Sequence, residues 1–139
     1  VDGSDFELSE VELMTLSESR EDYLENLLIL ETRSGGFVRQ VDMASRMGFS
    51  KASISKAMSS LSAEGYVEFR PRGLVRLSNG GRKIAERVYD RHCFFFKVLT
   101  NLGIPTEIAQ RDACRMEHAM SEESYQALKK ELSSKMDVQ

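Results

Sequence analysis

The feature that most constrains the fold is a change of hydrophobic period within residues 38–77. Between residues 38 and 63, apolar residues recur every three or four positions in two short segments separated by Gly48. This spacing predicts two short helices joined by a turn. Between residues 65 and 77, apolar and polar residues alternate on both sides of Pro71-Arg72-Gly73, which predicts a β-hairpin. A helix-turn-helix followed directly by a hairpin is a winged helix.

The pattern also assigns an inner and an outer face to each short helix. The first helix is expected to direct Val41, Ala44 and Met47 inward and to end at Gly48. The second is expected to begin with Ser50 as its N-cap. Four apolar residues form its predicted inner face: Ile54, Ala57, Met58 and Leu61. Its outer positions carry small hydroxyls and lysines, a surface that can enter a DNA major groove and bond to bases or phosphates.

Charge is strongly segregated although the formal net charge is only −3. Residues 1–31 carry ten acids and one base, residues 33–97 thirteen bases and five acids, and residues 98–139 seven acids and five bases. The basic block contains the predicted winged helix, which favours a polyanion-binding face over a merely solvated surface. The candidate DNA-contacting residues are Arg39, Ser50, Lys51, Ser53, Ser55, Lys56, Arg70, Arg72 and Arg76.

A second cluster of functional residue types lies near the C-terminal end, at Cys114, Glu117 and His118. On one helix these positions, i, i+3 and i+4, share a side. Thiolate, carboxylate and imidazole together suit a divalent first-row transition metal rather than magnesium or calcium. Further donors are available from Asp22 and Glu25, three residues apart on a predicted helix, and from His92. The alternative is that Cys114 is a small buried hydrophobe beside a solvated helix edge.

The remaining segments are predicted to be mainly helical. Residues 1–18 hold no sustained period and are expected to be a flexible acidic extension. Ser19 is the predicted N-cap of a helix that Ser34-Gly35-Gly36 ends. A long helix is predicted from Arg82 to about Asn101, capped by residues 78–81. The next helix starts at Pro105 or Thr106 and carries the 114–118 cluster, and a last helix runs from residues 120–123 to about Ser134.

Composition places the chain among globular intracellular proteins. No apolar run approaches the length of a membrane span, and the first residues lack the pattern of a signal peptide. We therefore expect a cytoplasmic protein in which Cys93 and Cys114 are reduced thiols. The aromatic residues 94–96 and the apolar stripe from Leu99 to Ile108 exceed what a short helical pair can bury. A homodimer interface is the simplest explanation, and packing against the winged helix of the same chain is the alternative.

The whole pattern resembles the diphtheria-toxin-repressor family of metal-dependent transcriptional regulators, which includes the manganese transport regulators. The resemblance rests on residues 19–25, the winged helix through Leu77, Arg91-His92 and residues 112–121. It implies a mainly α fold with a small β-hairpin wing, in which a winged helix-turn-helix is followed by a helical metal-binding and dimerisation domain. The implied domains are a flexible extension (1–18), a DNA-binding domain (19–81) and a metal-binding and dimerisation domain (82–139).

The resemblance also implies a function and a set of metal ligands. The expected protein is a homodimeric repressor of Mn or Fe uptake genes that binds a palindromic double-stranded operator when a divalent metal is bound. It has no membrane association and no organic small-molecule substrate, and it is not an enzyme. The ligands carried over by position are Asp22, Glu25, His92, Cys114, Glu117 and His118.

This ligand set combines two branches of the family. Asp22 matches the manganese-type branch, whereas Cys114 matches the iron-type branch, whose SH3-like third domain is not expected here. A thiolate favours Fe, Co, Ni or Zn, and the carboxylates favour Mn. We therefore expect Mn or Fe as the physiological metal, with Zn, Co or Ni also able to bind in vitro. The alternatives are a winged-helix regulator gated by redox chemistry at Cys114 or by an organic effector, and a metallohydrolase.

Overall fold

The computed structural model describes residues 10–136, with side chains from residue 18 onward. The chain folds into two compact units that meet in sequence between Arg82 and Lys83. In chain order the elements are α1 (Glu10–Ser34), α2 (Gln40–Met47), α3 (Lys51–Ala63), β1 (Val67–Phe69), β2 (Val75–Leu77), α4 (Asn79–Asn101), α5 (Thr106–Met116) and α6 (Glu122–Met136). The predicted fold class, mainly α with a small hairpin wing, is confirmed.

The first helix begins earlier than the sequence pattern predicted. α1 already includes Glu10, so Ser19 lies inside the helix and is not its N-cap. A helix that is already nucleated gains one hydrogen bond for each residue added. The helix can therefore continue N-terminally beyond a polar residue such as Ser19. Residues 10–18, predicted as part of a flexible extension, are therefore helical, while residues 1–9 lie outside the described residues.

The predicted helix-turn-helix is confirmed. α2 ends at Gly48, whose φ of 71° places it in the left-handed region and whose N–H donates to the carbonyl of Ala44. Glycine adopts this conformation without the steric cost that other residues meet. Ser50 is the N-cap of α3, and its hydroxyl accepts a hydrogen bond from the N–H of Ser53. These two signals are local, which is why the sequence alone could place them.

The inner face of α2 differs from the prediction. Ala44 is buried as predicted. However, Met43 is fully buried, whereas Val41 is 39% exposed. The two residues lie about 200° apart around a helix, and an eight-residue helix is too short for its pattern to decide between them. In α3, by contrast, the predicted inner residues Ile54, Met58 and Leu61 are buried.

The wing is a two-stranded antiparallel hairpin. β1 pairs with β2 in the register Val67 to Leu77 and Phe69 to Val75, and Pro71–Gly73 forms a 3-10 turn between them. Val38 adds a bridge on the other side of β2, because its N–H and carbonyl both bond to Val75 at 2.9 Å. The wing is thereby attached to the chain segment between α1 and α2.

One apolar core joins the elements of the first unit. α1 packs on α2 and β2, and α3 packs on α2 and β1. The fully or nearly fully buried side chains include Leu24, Leu27, Val38, Met43, Ile54, Met58, Leu61, Val67, Val75 and Leu77. The core therefore holds α3, the second helix of the helix-turn-helix and hereafter the recognition helix, on one framework with the wing.

The second unit has its own aromatic core. Phe94 and Phe95 on α4 pack against Tyr125 on α6, with ring centroids 5.6 and 5.9 Å from that of Tyr125. Both phenylalanines are buried, so the expectation that these aromatics need a dimer interface is wrong for them. Leu102 and Ile108 remain exposed, at 65% and 40%. None of the helices formed by the described residues combines the length and the apolar character of a membrane-spanning segment.

Candidate metal centre and nucleic-acid interface

The predicted metal ligands are distributed over both units. Asp22 and Glu25 lie on α1 in the first unit, where Asp22 is partly buried and Glu25 is buried. His92 lies on α4, Cys114 is in the last turn of α5, and Glu117 and His118 follow α5 directly. The last four residues belong to the second unit.

The structure brings His92, Cys114 and Glu117 together. The Nδ1 atom of His92 is 2.8 Å from Oε2 of Glu117 and 3.6 Å from Sγ of Cys114. One donor atom from each of the three residues lies within 4.8 Å of the other two. Nε2 of His118 approaches the other Glu117 oxygen, Oε1, at 3.4 Å. One nitrogen, one sulfur and one carboxylate thus converge, with a second imidazole beside them.

The local backbone differs slightly from the prediction that one helix carries all three C-terminal donors. α5 ends at Met116, Glu117 is its C-cap, and His118 lies in the turn that follows. Glu117 still has helical angles, φ −63° and ψ −22°, and its N–H bonds to the carbonyl of Ala113. Cys114 and Glu117 therefore keep the i, i+3 relationship of a helix, whereas the position of His118 depends on the turn.

The charges around His92 make it a strong base. Hydrogen bonds to Cys114 and to Glu117 raise the pKa of His92 to about 11, against an opposing effect of burial. The imidazole is therefore protonated at neutral pH and forms an ion pair with Glu117 when no metal is bound. Phe96 stacks on the same ring at a centroid distance of 6.5 Å and an angle of 7°, which limits the ring's rotation.

These residues fit a divalent transition metal. Glu117 is only 1% exposed, and a buried carboxylate needs a cation or hydrogen-bond donors to offset its desolvation. Oε1 of Glu117 has no hydrogen-bond partner among the described residues, apart from the longer contact to His118. Imidazole, thiolate and carboxylate are all ligands for Mn, Fe, Co, Ni or Zn. The second unit therefore contains part of a candidate metal site.

The recognition helix presents the predicted polar face. Its outward residues Lys51, Ser53, Ser55 and Lys56 are exposed, as is the N-cap Ser50. Arg39, the residue before α2, is also exposed but forms a two-contact ion pair with Asp42, at 3.0 and 3.1 Å. That carboxylate raises the pKa of Arg39. Arg39 is thus held at the start of α2 rather than extended freely.

The wing presents the three predicted arginines in different ways. Arg72 is at the tip with a positive φ of 67°, a conformation uncommon for a residue other than glycine. The guanidinium carbons of Arg70 and Arg76 lie 5.5 and 5.6 Å from the ring centre of Phe37. Arg76 also pairs with Glu68 across the hairpin at 2.7 Å.

Phe37 was not among the candidate residues from the sequence. It is 44% exposed, and its ring supports two of the wing arginines through cation–π contacts. The bridge between Val38 and Val75 brings it beside the hairpin. Since this bridge joins segments far apart in the chain, the only available signal was an aromatic residue directly after two glycines.

Comparison with known proteins agrees with this arrangement. The family model described as "Iron dependent repressor, N-terminal DNA binding domain" matches residues 15–75. The model described as "Iron dependent repressor, metal binding and dimerisation domain" matches residues 78–135. The transcriptional regulator MntR of Escherichia coli O157:H7 is 39% identical over 109 residues, covering 78% of this chain and 70% of the relative.

Solved structures show the same fold. A manganese-dependent transcriptional repressor in complex with manganese is 26% identical, with a TM-score of 0.72 over 86% of this chain and 53% of the other. IdeR of T. acidophilum is 24% identical, with a TM-score of 0.71 over 92% of this chain and 55% of the other. The chain thus spans about half the length of these two solved structures.

Proposed function

This chain belongs to the diphtheria-toxin-repressor and manganese-transport-regulator family of iron-dependent repressors, and we propose that it represses Mn or Fe uptake genes when a divalent metal is bound. Two family models, which together match residues 15–75 and 78–135, support the family assignment, and the family consists of regulators rather than enzymes. The observation that carries the proposal is the convergence of His92, Cys114 and Glu117 in a chain that also contains a winged helix. We place the protein in the cytoplasm, where such a regulator meets its operator.

The proposed ligands are the six residues carried over from the sequence: Asp22, Glu25, His92, Cys114, Glu117 and His118. When bound, the metal supplies a positive charge that neutralises the carboxylates and replaces the proton on His92. Protein residues do the remaining work. Phe96 orients the His92 ring, and the helical angles of Glu117 keep its carboxylate on the same side as Cys114.

Within the first unit, α1 provides a route from the proposed ligands to the wing. Asp22 and Glu25 are on the same helix as Glu31, whose buried carboxylate accepts a hydrogen bond from the N–H of Leu77 on β2. It also pairs with Arg82 at 2.9 Å. If metal binding at Asp22 or Glu25 displaces α1, the bonds of Glu31 will therefore displace the base of the wing as well. A ligand shifts this equilibrium only by its difference in affinity for the two arrangements.

We assign DNA contact to residues 19–81. The exposed hydroxyls and lysines of α3 suit the major groove, and the arginines of the wing suit phosphates. The candidate contacts remain Arg39, Ser50, Lys51, Ser53, Ser55, Lys56, Arg70, Arg72 and Arg76. We add Phe37 as the residue that holds Arg70 and Arg76 in place.

We assign metal binding and dimerisation to residues 82–139. Exposed Leu102 and Ile108 leave an apolar surface on the second unit that a second copy of the chain would cover. A two-fold dimer reads a palindromic operator, whose half-sites lie about 34 Å apart for one turn of DNA. No organic small-molecule substrate is part of this proposal.

The test is DNA binding with and without metal. Chelator-treated protein is titrated onto an operator selected from random duplexes, and fluorescence anisotropy is followed with Mn(II), anaerobic Fe(II), or Zn(II). We expect the affinity for DNA to rise at least tenfold when metal is bound, about 1.4 kcal/mol of coupling. The order in which the metals raise this affinity should identify the metal that a site with both Asp22 and Cys114 prefers. Equal affinity with and without every metal would refute metal dependence.

One observation favours a second function, redox gating. The Cys114 thiol is exposed and lies beside His92, an environment in which a thiolate is accessible to oxidants. This alternative predicts that DNA affinity is insensitive to chelators but changes with peroxide, and that Cys114→Ser abolishes the peroxide response.

A further inference from the structure

A buried arginine directly precedes His92 on α4. Arg91 is 6% exposed, which is rare for arginine unless its charge is paired. Its guanidinium donates hydrogen bonds to the carbonyl oxygens of Glu117 and Met120, at 3.3 and 2.5 Å. The other terminal nitrogen donates to Oε2 of Glu122 at 2.9 Å. Arg91 thus contacts the C-cap of α5, the turn after it and the first turn of α6.

The segment that Arg91 holds is the one that carries two proposed ligands. Residues 117–120 lie between α5 and α6, and of these only Glu117 keeps the i to i−4 backbone bond of a helix. Two backbone bonds restrain the segment, from Glu117 to Ala113 and from Ala119 to Met116. The two carbonyls bound by Arg91 lie on either side of His118 in the chain. Arg91 therefore restrains the backbone on both sides of His118.

The chemistry of the side chain suits this task better than it suits simple packing. A planar guanidinium presents donors in fixed directions and can span two carbonyls, whereas a lysine ammonium is a flexible point charge. Burying the charge is costly, and Nε of Arg91 has no hydrogen-bond partner among the described residues. An apolar residue could fill the space without that cost. The contacts to the turn carbonyls and the stacking on Tyr125 at 4.8 Å are what an apolar residue could not supply.

We propose that Arg91 is a positioning residue for the candidate metal centre, which holds the 117–120 turn so that Glu117 faces His92 and Cys114 and His118 lies beside the Glu117 carboxylate. The inference rests on the proposed metal-binding function. It assigns Arg91 no contact with the metal. Groups that orient metal ligands in this way change metal affinity by about 10- to 100-fold when they are removed.

The experiment is an anaerobic Co(II) titration of the full chain, followed by visible absorption. Co(II) reports a thiolate ligand through a charge-transfer band and the coordination geometry through its d–d bands. The variants are Arg91→Lys, which keeps the charge, and Arg91→Met, which keeps much of the volume. The matched control is Glu122→Gln, which removes the carboxylate that Arg91 reaches on α6 and leaves both turn carbonyls bound. Thermal unfolding of each metal-free variant is measured in parallel.

We expect both Arg91 variants to bind Co(II) at least tenfold more weakly, while Glu122→Gln stays within about threefold of the unchanged protein. The Arg91 variants should keep the thiolate band, since Cys114 is held by α5, but show altered d–d bands. Unchanged affinity and spectra in Arg91→Met would overturn the inference. The inference would also be overturned if Glu122→Gln weakened Co(II) binding as much as the Arg91 variants did. The loss of Co(II) affinity would then follow the loss of thermal stability and not the contacts to the turn carbonyls. Absence of Co(II) binding by the unsubstituted protein would instead overturn the proposed function and the inference with it.

Discussion

The carboxylate of Glu31 on α1 accepts a hydrogen bond from the backbone N–H of Leu77 on β2, at 2.9 Å and away from solvent. Forty-six residues separate the two in the chain. The second oxygen of the same carboxylate pairs with Arg82 at the start of α4. One buried side chain therefore connects the helix that carries Asp22 and Glu25 to the base of the wing and to Arg82, all within the first unit.

We predict that Glu31→Ala destabilises the first unit by about 1–3 kcal/mol, because it leaves the buried N–H of Leu77 without an acceptor. The measurement is urea unfolding followed by circular dichroism. Glu68→Ala is the matched control, since it removes the exposed partner of Arg76 and such pairs contribute about 0–1 kcal/mol. Equal losses in the two variants would show that the buried bond has no special role.

Gly81 should tolerate no side chain. A Cβ atom at this position would lie 2.0 Å from the carbonyl oxygen of Tyr66, whereas one at Gly80 would meet nothing closer than 3.9 Å. We predict that Gly81→Ala destabilises the protein by about 1–3 kcal/mol. Gly80→Ala should be neutral or stabilising by up to about 1 kcal/mol, because alanine favours the helix. Thermal unfolding of the pair tests this, and similar melting temperatures would contradict it.

Metal affinity should rise with pH. The pKa of His92 is raised to about 11, so binding must displace its proton throughout the neutral range. Each displaced proton steepens the dependence by about tenfold per pH unit. Calorimetric titration in buffers of different ionisation enthalpy counts the protons released. His92→Gln should bind more weakly and release about one proton fewer, and an unchanged proton count would contradict this assignment.

The stability of the metal-free protein should depend on pH in the opposite direction. Because the folded pKa of His92 lies above its ordinary value of 6.5, its ion pair with Glu117 contributes fully below pH 6.5. That contribution is lost as the pH rises from 6.5 toward 11. Comparing metal-free His92→Gln with the unsubstituted protein by urea unfolding should show a difference that shrinks over this range. A difference that grows with pH would be inconsistent with the raised pKa.

Cys114 should decide the metal preference. We predict that Cys114→Asp weakens Zn(II) or Co(II) binding by at least tenfold, about 1.4 kcal/mol, while Mn(II) binding is retained or improved, because a carboxylate is a harder ligand than a thiolate. Competition with a chelator of known affinity measures each constant. Cys93→Ala serves as the control, since Cys93 is not among the converging donors. An unchanged metal order in Cys114→Asp would remove the thiolate from the ligand set.

Much of the first unit could be read from local patterns. Gly48 and Ser50 act within one turn of their own positions, and Pro71 and Gly73 favour a turn between the two strands, so short stretches were sufficient to identify these features. The start of α1 was missed because a capping residue such as Ser19 is also tolerated inside a helix. The inner face of α2 was predicted only in part: Ala44 is buried as expected, but eight residues do not decide between Val41 and Met43 when both are apolar.

The candidate metal centre could also be predicted only in part from the sequence. Residue type and spacing were enough to select Cys114, Glu117 and His118, since three- and four-residue intervals share a helix side. The end of α5 at Met116 could not be predicted, because no glycine or proline follows it directly. The role of Arg91 could not be predicted either, because it depends on carbonyls 26 and 29 residues away.

By itself, the sequence determined the order of helices and hairpin, the basic face of the recognition helix, and the identities of the candidate ligands. These follow from hydrophobic period, turn residues and side-chain chemistry, which act over a few residues. Only the tertiary structure decided that His92 meets Cys114 and Glu117, that Phe94 and Phe95 are buried against Tyr125, and that Glu31 and Arg91 hold distant backbone groups. Those contacts join segments far apart in the chain, and their geometry is set by how the helices pack.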